Sequence, residues 1–281
     1  MIRVFQIVVL AYLIFCLAGC AEPEKEPIWE TVKIGDLAPS YGDKPPQTEL
    51  LKTINFDLHI FEVPADNIDK LDDIWRMLYI RPLRFNDYRA FGENSFLARF
   101  GQIQRWDKIQ ELLLAADAQL ITKVALFLSD GQAQTITVIG LDSPRTVFFT
   151  SISGSREGAN IGPGILALRV KAQTIPGFRG VCDFNAHPVF SVPIKSAVPQ
   201  LADRVKFREF PFISAAFGLN MSPGDFVMLG PKEYISDQTD LCGLFFSNPQ
   251  GSLFFSKTKR KPMERKPTVR IFVLVCTRIN Y

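Results

Sequence analysis

The chain has 281 residues, and its 32 Lys and Arg stand against 29 Asp and Glu for a formal net charge of +3. A balance this close excludes both a strongly basic nucleic-acid binder and a strongly acidic solvating tail. Apolar residues make up 47% and charged ones 22%, the profile of a folded body, and only 2 His are present for any His-built metal site or proton relay.

Chain order begins with the most specific signal. One charge, Arg3, precedes an apolar run over residues 4–17, shorter than the roughly 20 residues a membrane span needs. The run closes on Leu17-Ala18-Gly19-Cys20, which resembles the bacterial lipobox. The resemblance implies a signal peptide over residues 1–19, cleavage before Cys20 and a lipid anchor on that cysteine. With two or more acyl chains such an anchor is effectively permanent. Ala21 at the following position resembles the outer-membrane class of lipoprotein, which implies the cell envelope with the chain facing the periplasm. A plain signal peptide with an incidental cysteine, or an uncleaved anchor, are the bland alternatives. Removal of Cys16 and acylation of Cys20 leave the thiols Cys182, Cys242 and Cys276. An exported compartment permits disulfides, and an odd count leaves one thiol over, with the pairing open. No CxxC or clustered Cys/His spacing offers a metal site, and no cofactor motif is present.

Residues 20–50 mix Pro, Gly and charge without sustained periodicity and read as a tether. Ile54, Phe56, Leu58 and Ile60 then alternate with Asn55, Asp57 and His59, the period of a half-buried strand. After Pro64, apolar Ile68, Leu71, Ile74, Trp75 and Leu78 recur at three and four, which predicts a helix. Extended stretches near 83–88 and 95–103 follow, then a second helix over about 105–118 and a strand over 122–128. The order β-α-β-β-α-β over residues 51–128 reads as a small α/β subdomain.

Beyond residue 129 the helical period disappears. Strands are expected at 134–139, 145–153, 164–173, 188–194, 205–217, 225–229, 241–247, 252–257 and 268–279, parted by turns such as Asp130-Gly131 and Pro223-Gly224. The fold class expected is α+β, the small α/β unit being followed by a mostly antiparallel β-rich domain over residues 129–281.

Several lookalikes carry no chemistry. Gly154-Ser155-Arg156-Glu157-Gly158 has its Ser at the wrong position for a nucleophile elbow and reads as a polar loop. Gly162-Pro163-Gly164 precedes a strand-like run and reads as a turn, not a dinucleotide loop. Asp66, Asp69, Asp72 and Asp73 read as a solvated helix face. His59 is expected to point outward from a strand and His187 to sit in a loop. The basic run Lys257, Lys259, Arg260, Lys261, Arg265 and Lys266 reads as a hairpin tip. No nucleophile, base and orienting group assemble, so no enzyme is expected.

An ordered set of segments points further. Residues 54–63 (INFDLHIFEV) alternate and end in Glu-Val. Residues 123–140 (KVALFLSDGQAQTITVIG) place the turn Asp130, Gly131 and Gln132 between two strands. Residues 162–173 lead from a Gly into a Leu/Val strand. Residues 222–231 (SPGDFVMLGP) carry Gly230, residues 241–247 (LCGLFFS) carry Leu244 and Phe245, and 269–279 form an apolar last strand. In this order the segments resemble the secretin family, the ring-forming outer-membrane channels of bacterial secretion and pilus systems. Leu229-Gly230-Pro231 stands where the family has a double glycine, and Cys276-Thr277-Arg278 lacks its proline. The resemblance implies a non-enzymatic structural or accessory component of an envelope secretion assembly. Its partners would be the membrane through the lipid, further copies of itself (a homo-oligomer) or secretion-system proteins, and not nucleic acid. A monomeric periplasmic module that binds a ligand or glycan is the rival.

Overall fold

The computed structural model describes residues 52–194, 206–254 and 264–280. The fold is α+β, with every strand ladder antiparallel. Its first sheet runs β3 (Phe96–Gln102), β12 (Asp225–Pro231), β14 (Glu264–Asn280), β1 (Thr53–Pro64) and β4 (Gln119–Ser129), with β13 (Ser247–Phe254) also paired to β14. The second runs β2 (Arg84–Phe85), β11 (Phe217–Met221), β9 (Cys182–Ile194), β8 (Gly164–Thr174) and β5 (Ala133–Leu141), with β10 (Lys206–Pro211) also on β9. A hairpin of β6 (Arg145–Thr150) and β7 (Arg156–Ile161) stands apart.

Alternation decides what each face of the first sheet meets. On β14, Phe272, Leu274 and Cys276 belong to one buried cluster with Phe184, Leu168 and Val170 of the second sheet. Val269, Ile271, Val273 and Val275 belong to another, with Leu71, Ile74, Trp75, Ile109 and Leu113. Those last residues lie on the 3-10 turn Ala65–Leu71, on α1 (Asp72–Met77) and on α3 (Trp106–Ala115). The layers are therefore helices, first sheet and second sheet, and a strand apolar on both faces must lie between two of them. The expected acidic helix face is observed, since Asp66, Asp69, Asp72 and Asp73 are all exposed.

Several expectations need correction. The division at 128/129 falls inside one body: Leu50–Tyr281 forms a single compact unit, because β1 pairs with β14 and β2 pairs with β11. Residues 241–247 are not a strand but α4 (Leu241–Phe246), capped by the Asp240 carboxylate accepting from Cys242 N at 2.9 Å. All six helical residues are buried, and a fully buried apolar run has no period to separate helix from strand. A short helix, α2 (Tyr88–Glu93), lies between the two extended stretches, where no element was expected; Asp87 caps it by accepting from Ala90 N at 2.8 Å. The polar loop at 154–158 is largely strand β7.

Candidate functional site

Sheets expose backbone donors and acceptors at their edges, so edges are where partners add. The β3 edge of the first sheet is covered. Tyr79 exchanges two backbone hydrogen bonds with Phe100, at 2.9 and 2.8 Å, and the Arg105 guanidinium lies over the Tyr79 ring at 4.5 Å. The β4 edge is different. Among the described residues β4 pairs with β1 alone, and Leu120, Ile121, Val124 and Phe127 are exposed, Phe127 by 67%. Its single charge, Lys123, is held by Asp57 at 3.3 Å.

The second sheet ends on the same side. Among the described residues β5 pairs with β8 alone and carries no charged side chain. One bulge interrupts it, between Thr137 and Ile139. The carbonyl of the intervening Val138 accepts from Arg270 Nη1 at 3.1 Å, so the first sheet takes up the acceptor that the ladder loses.

The expected motif residues fall at three places. Asp130, Gly131 and Gln132 form the turn that carries the chain from β4 to β5, from one sheet to the other. The Asp130 carboxylate accepts from Thr174 N at 2.6 Å and from its hydroxyl at 2.7 Å. Asp130 N donates to Lys52 O at 3.0 Å and Gly131 N to Ala172 O at 2.9 Å. Gly131 has φ +73°, which favours glycine there. This turn fixes the two open edges side by side. Gly230 is a packing residue on β12: a Cβ there would stand 2.6 Å from Ile271 Cδ1 and 3.2 Å from Trp75 Cζ2. Leu244 and Phe245 are buried on α4, with the Phe245 ring 5.7 Å from those of Phe96 and Phe272. Leu17, Ala18, Gly19 and Cys20 lie outside the described residues, as does the basic run through Lys261.

His59 lies on a strand, as expected, whereas His187 does not lie in a loop. His59 is half-buried on β1, its ring 5.5 Å from Trp106, and burial, then nearby Lys123, hold its pKa below the usual value despite Asp57. His187 is in β9, not a loop, opposite Arg169 of β8. Burial first, then Arg169, lowers its pKa, against the pull of Glu209. Arg169 itself spans three strands, donating to Glu209 of β10 and to Thr135 Oγ1 of β5 at 3.1 Å. The alternation of Leu166, Leu168 and Val170 around Arg169 was the available signal for that outward row.

A cavity of about 350 Å³ opens beside the β6–β7 hairpin, walled by Phe149, Ile152, Phe210 and Ile213 with Ser151 and Glu157 at its polar side. Ser155, the serine of the elbow lookalike, donates to Glu157 Oε1 at 3.1 Å and bonds with Ser151 and Ser153 at 3.0 and 2.7 Å. Among the described residues no three His, Cys, Asp or Glu side chains converge to hold a metal ion.

No family model matches the chain, and no curated protein matches it. Solved structures to which it is similar are secretins. One is the type II secretin GspD of enteropathogenic Escherichia coli, at 10% identity and TM-score 0.24 over 81% of this chain and 70% of that one. Another is the InvG secretin domain β-barrel from the Salmonella SPI-1 injectisome, at 10% and 0.24 over 81% and 63%. A third is the type IV competence pilus secretin PilQ of V. cholerae, at 12% and 0.27 over 82% and 61%. Scores this low leave the assignment of function to the chain's own residues.

Proposed function

We propose that the chain is a non-enzymatic, lipid-anchored structural or accessory component of a secretin-related transport assembly in the bacterial envelope. The anchor reading rests on Leu17-Ala18-Gly19-Cys20, and the family reading on the order of the sequence segments from residue 54 to 279. The observation that carries the assembly role is the paired open edge of β4 and β5. A stable monomer defends its sheet edges with charges, prolines or cover. Here β3 has cover, whereas β4 and β5 together hold one charged side chain and four exposed large apolar ones. A neighbouring strand seated there would satisfy the backbone groups and shield Leu120, Ile121, Val124 and Phe127. Repetition of one such head-to-tail contact closes a ring when the rotation allows it.

The test is the mass of the full chain extracted in mild detergent, measured by light scattering. A discrete multiple of the monomer mass, or a stable complex with another envelope protein, is expected. A lone monomer overturns the assembly role.

The rival reading has an observation of its own. The cavity beside β6–β7 has the size and the mixed aromatic and hydroxyl lining of a small-ligand site. A monomer that binds a glycan or other small molecule there, with binding lost in Phe149→Ala, would replace the assembly reading.

A further inference from the structure

The two sheets are joined near one end by the turn between β11 and β12, and two of the three described cysteines lie against that turn. Cys182 opens β9 and stands opposite Met221 of β11 in the second sheet. Cys276 lies on β14 in the first sheet, and its carbonyl accepts from Gly224 N at 2.8 Å. Met221 and Gly224 are parted only by Ser222 and Pro223, so these backbone points are within roughly 11 Å of each other along the chain. Both cysteines are fully buried free thiols in the core between the sheets, and the neighbouring Cys182, then burial, hold the Cys276 thiol well above its ordinary pKa. Cys242 is accounted for differently, its thiol donating to Ser95 O at 3.4 Å.

We infer that Cys182 and Cys276 are the site of a disulfide that staples the second sheet to the first, and that Cys242 remains the free thiol. The inference rests on the exported-lipoprotein reading, because the bond persists in an oxidising compartment and not in a reducing one. The donor is a second disulfide, of an oxidase protein or a small molecule. The two thiols lose two protons and two electrons, one S–S bond forms between Cys182 and Cys276, and the donor's S–S bond breaks to give two thiols. The mixed disulfide passes through one cysteine while the core is still open. Once the sheets close, both sulfurs are shut off from solvent and the Cys276 thiol resists ionisation, so the finished body neither forms nor loses the bond readily. The bond lies between two strands at the heart of the fold, where it constrains the unfolded chain and leaves the outer faces unchanged.

The experiment uses the full chain expressed with its own N-terminus. Cells are quenched in acid, free thiols are alkylated in denaturant without reductant, and the tryptic peptides are weighed. Residues 180–195 and 271–278 are expected as one linked species that separates on reduction, with the 233–257 peptide alkylated at Cys242. Cys242→Ser should leave the link in place. In parallel, purified chain is reduced, unfolded and refolded in a glutathione redox buffer. A link that forms on refolding but is missing from cells supports the pairing and overturns the exported location. Three alkylated cysteines in both experiments, or a link through Cys242, overturns the pairing itself.

Discussion

Glu62 of β1 and Arg270 of β14 face each other across the ladder, with Arg270 Nε 3.2 Å from Glu62 Oε1. Their side chains are 5% and 24% exposed, so this pair is desolvated, unlike the surface pairs elsewhere. Ser252 donates to the second Glu62 oxygen, and Arg270 also reaches Val138 O of the other sheet. Removing one partner of such a pair leaves a buried charge and costs about 3–5 kcal/mol, whereas replacing both with apolar residues is often neutral. Arg270→Met should therefore lower stability by that amount, and Glu62→Leu with Arg270→Met should recover most of it. Urea unfolding of the two variants checks the contrast. A loss under about 1 kcal/mol in Arg270→Met would place the pair with ordinary surface ion pairs.

Leu274 is fully buried on β14, opposite Leu58 of β1 and Val227 of β12. Leu274→Ala should create a cavity costing about 2–5 kcal/mol. Deletion of residues 268–281 removes the strand to which β1, β12 and β13 all pair, and should abolish the cooperative melting transition. A truncated chain with an unchanged transition would contradict a central β14.

Legibility in the sequence follows the chemistry of each segment. The alternation of Ile54, Phe56 and Leu58 reports one buried face, and the unbroken apolar run at Val273, Leu274 and Val275 reports two. Both strands are where those patterns place them. Leu241–Phe246 has no polar face at all, so its period is silent, and only the Asp240 cap marks it as helix. The sharing of sheets between early and late strands is a matter of long-range pairing, which local pattern does not encode. The open edge was half visible: residues 119–129 hold more apolar residues than one buried face can use. Nothing local shows that no neighbour covers them.

The two histidines make stability fall on the acid side. Both have folded pKa values lowered from 6.5, chiefly by burial, so the unfolded chain binds protons first as pH drops. Stability is full above 6.5, declines as pH falls through that value, and levels off below the folded values. His187→Gln should flatten part of the decline between about pH 7 and pH 5. Melting temperatures across that window check it, and an unchanged slope in the variant would remove His187 from the account.

The proposed lipidation at Cys20 can be tested apart from folding. Under that proposal Cys20→Ser should leave unprocessed precursor, or a chain that no longer partitions with membranes, because acyl chains on Cys20 would supply the attachment. The substitution lies outside the described body, so the melting temperature of the solubilised chain should not move. Unchanged mass together with unchanged membrane partition would remove the lipobox reading.

The edge itself can be tested without touching the core. Phe127 is 67% exposed on β4, and the residue opposite it on β1 is Asn55. Surface substitutions away from caps and buried networks change stability by less than about 0.5 kcal/mol. A lysine placed on an edge strand, in contrast, disfavours the addition of a further strand. Phe127→Lys should therefore keep the melting temperature of the isolated chain while reducing the mass of the detergent-extracted species towards the monomer. Val124→Lys, three positions away on the same strand, should act in the same direction, and Leu253→Lys, exposed on β13, should not. If all three variants retain the wild-type mass, the partner sits elsewhere and the β4 edge is covered by something other than a neighbouring subunit. If Phe127→Lys lowers the mass and Leu253→Lys does not, the exposed apolar residues of β4 are the contact that the assembly uses.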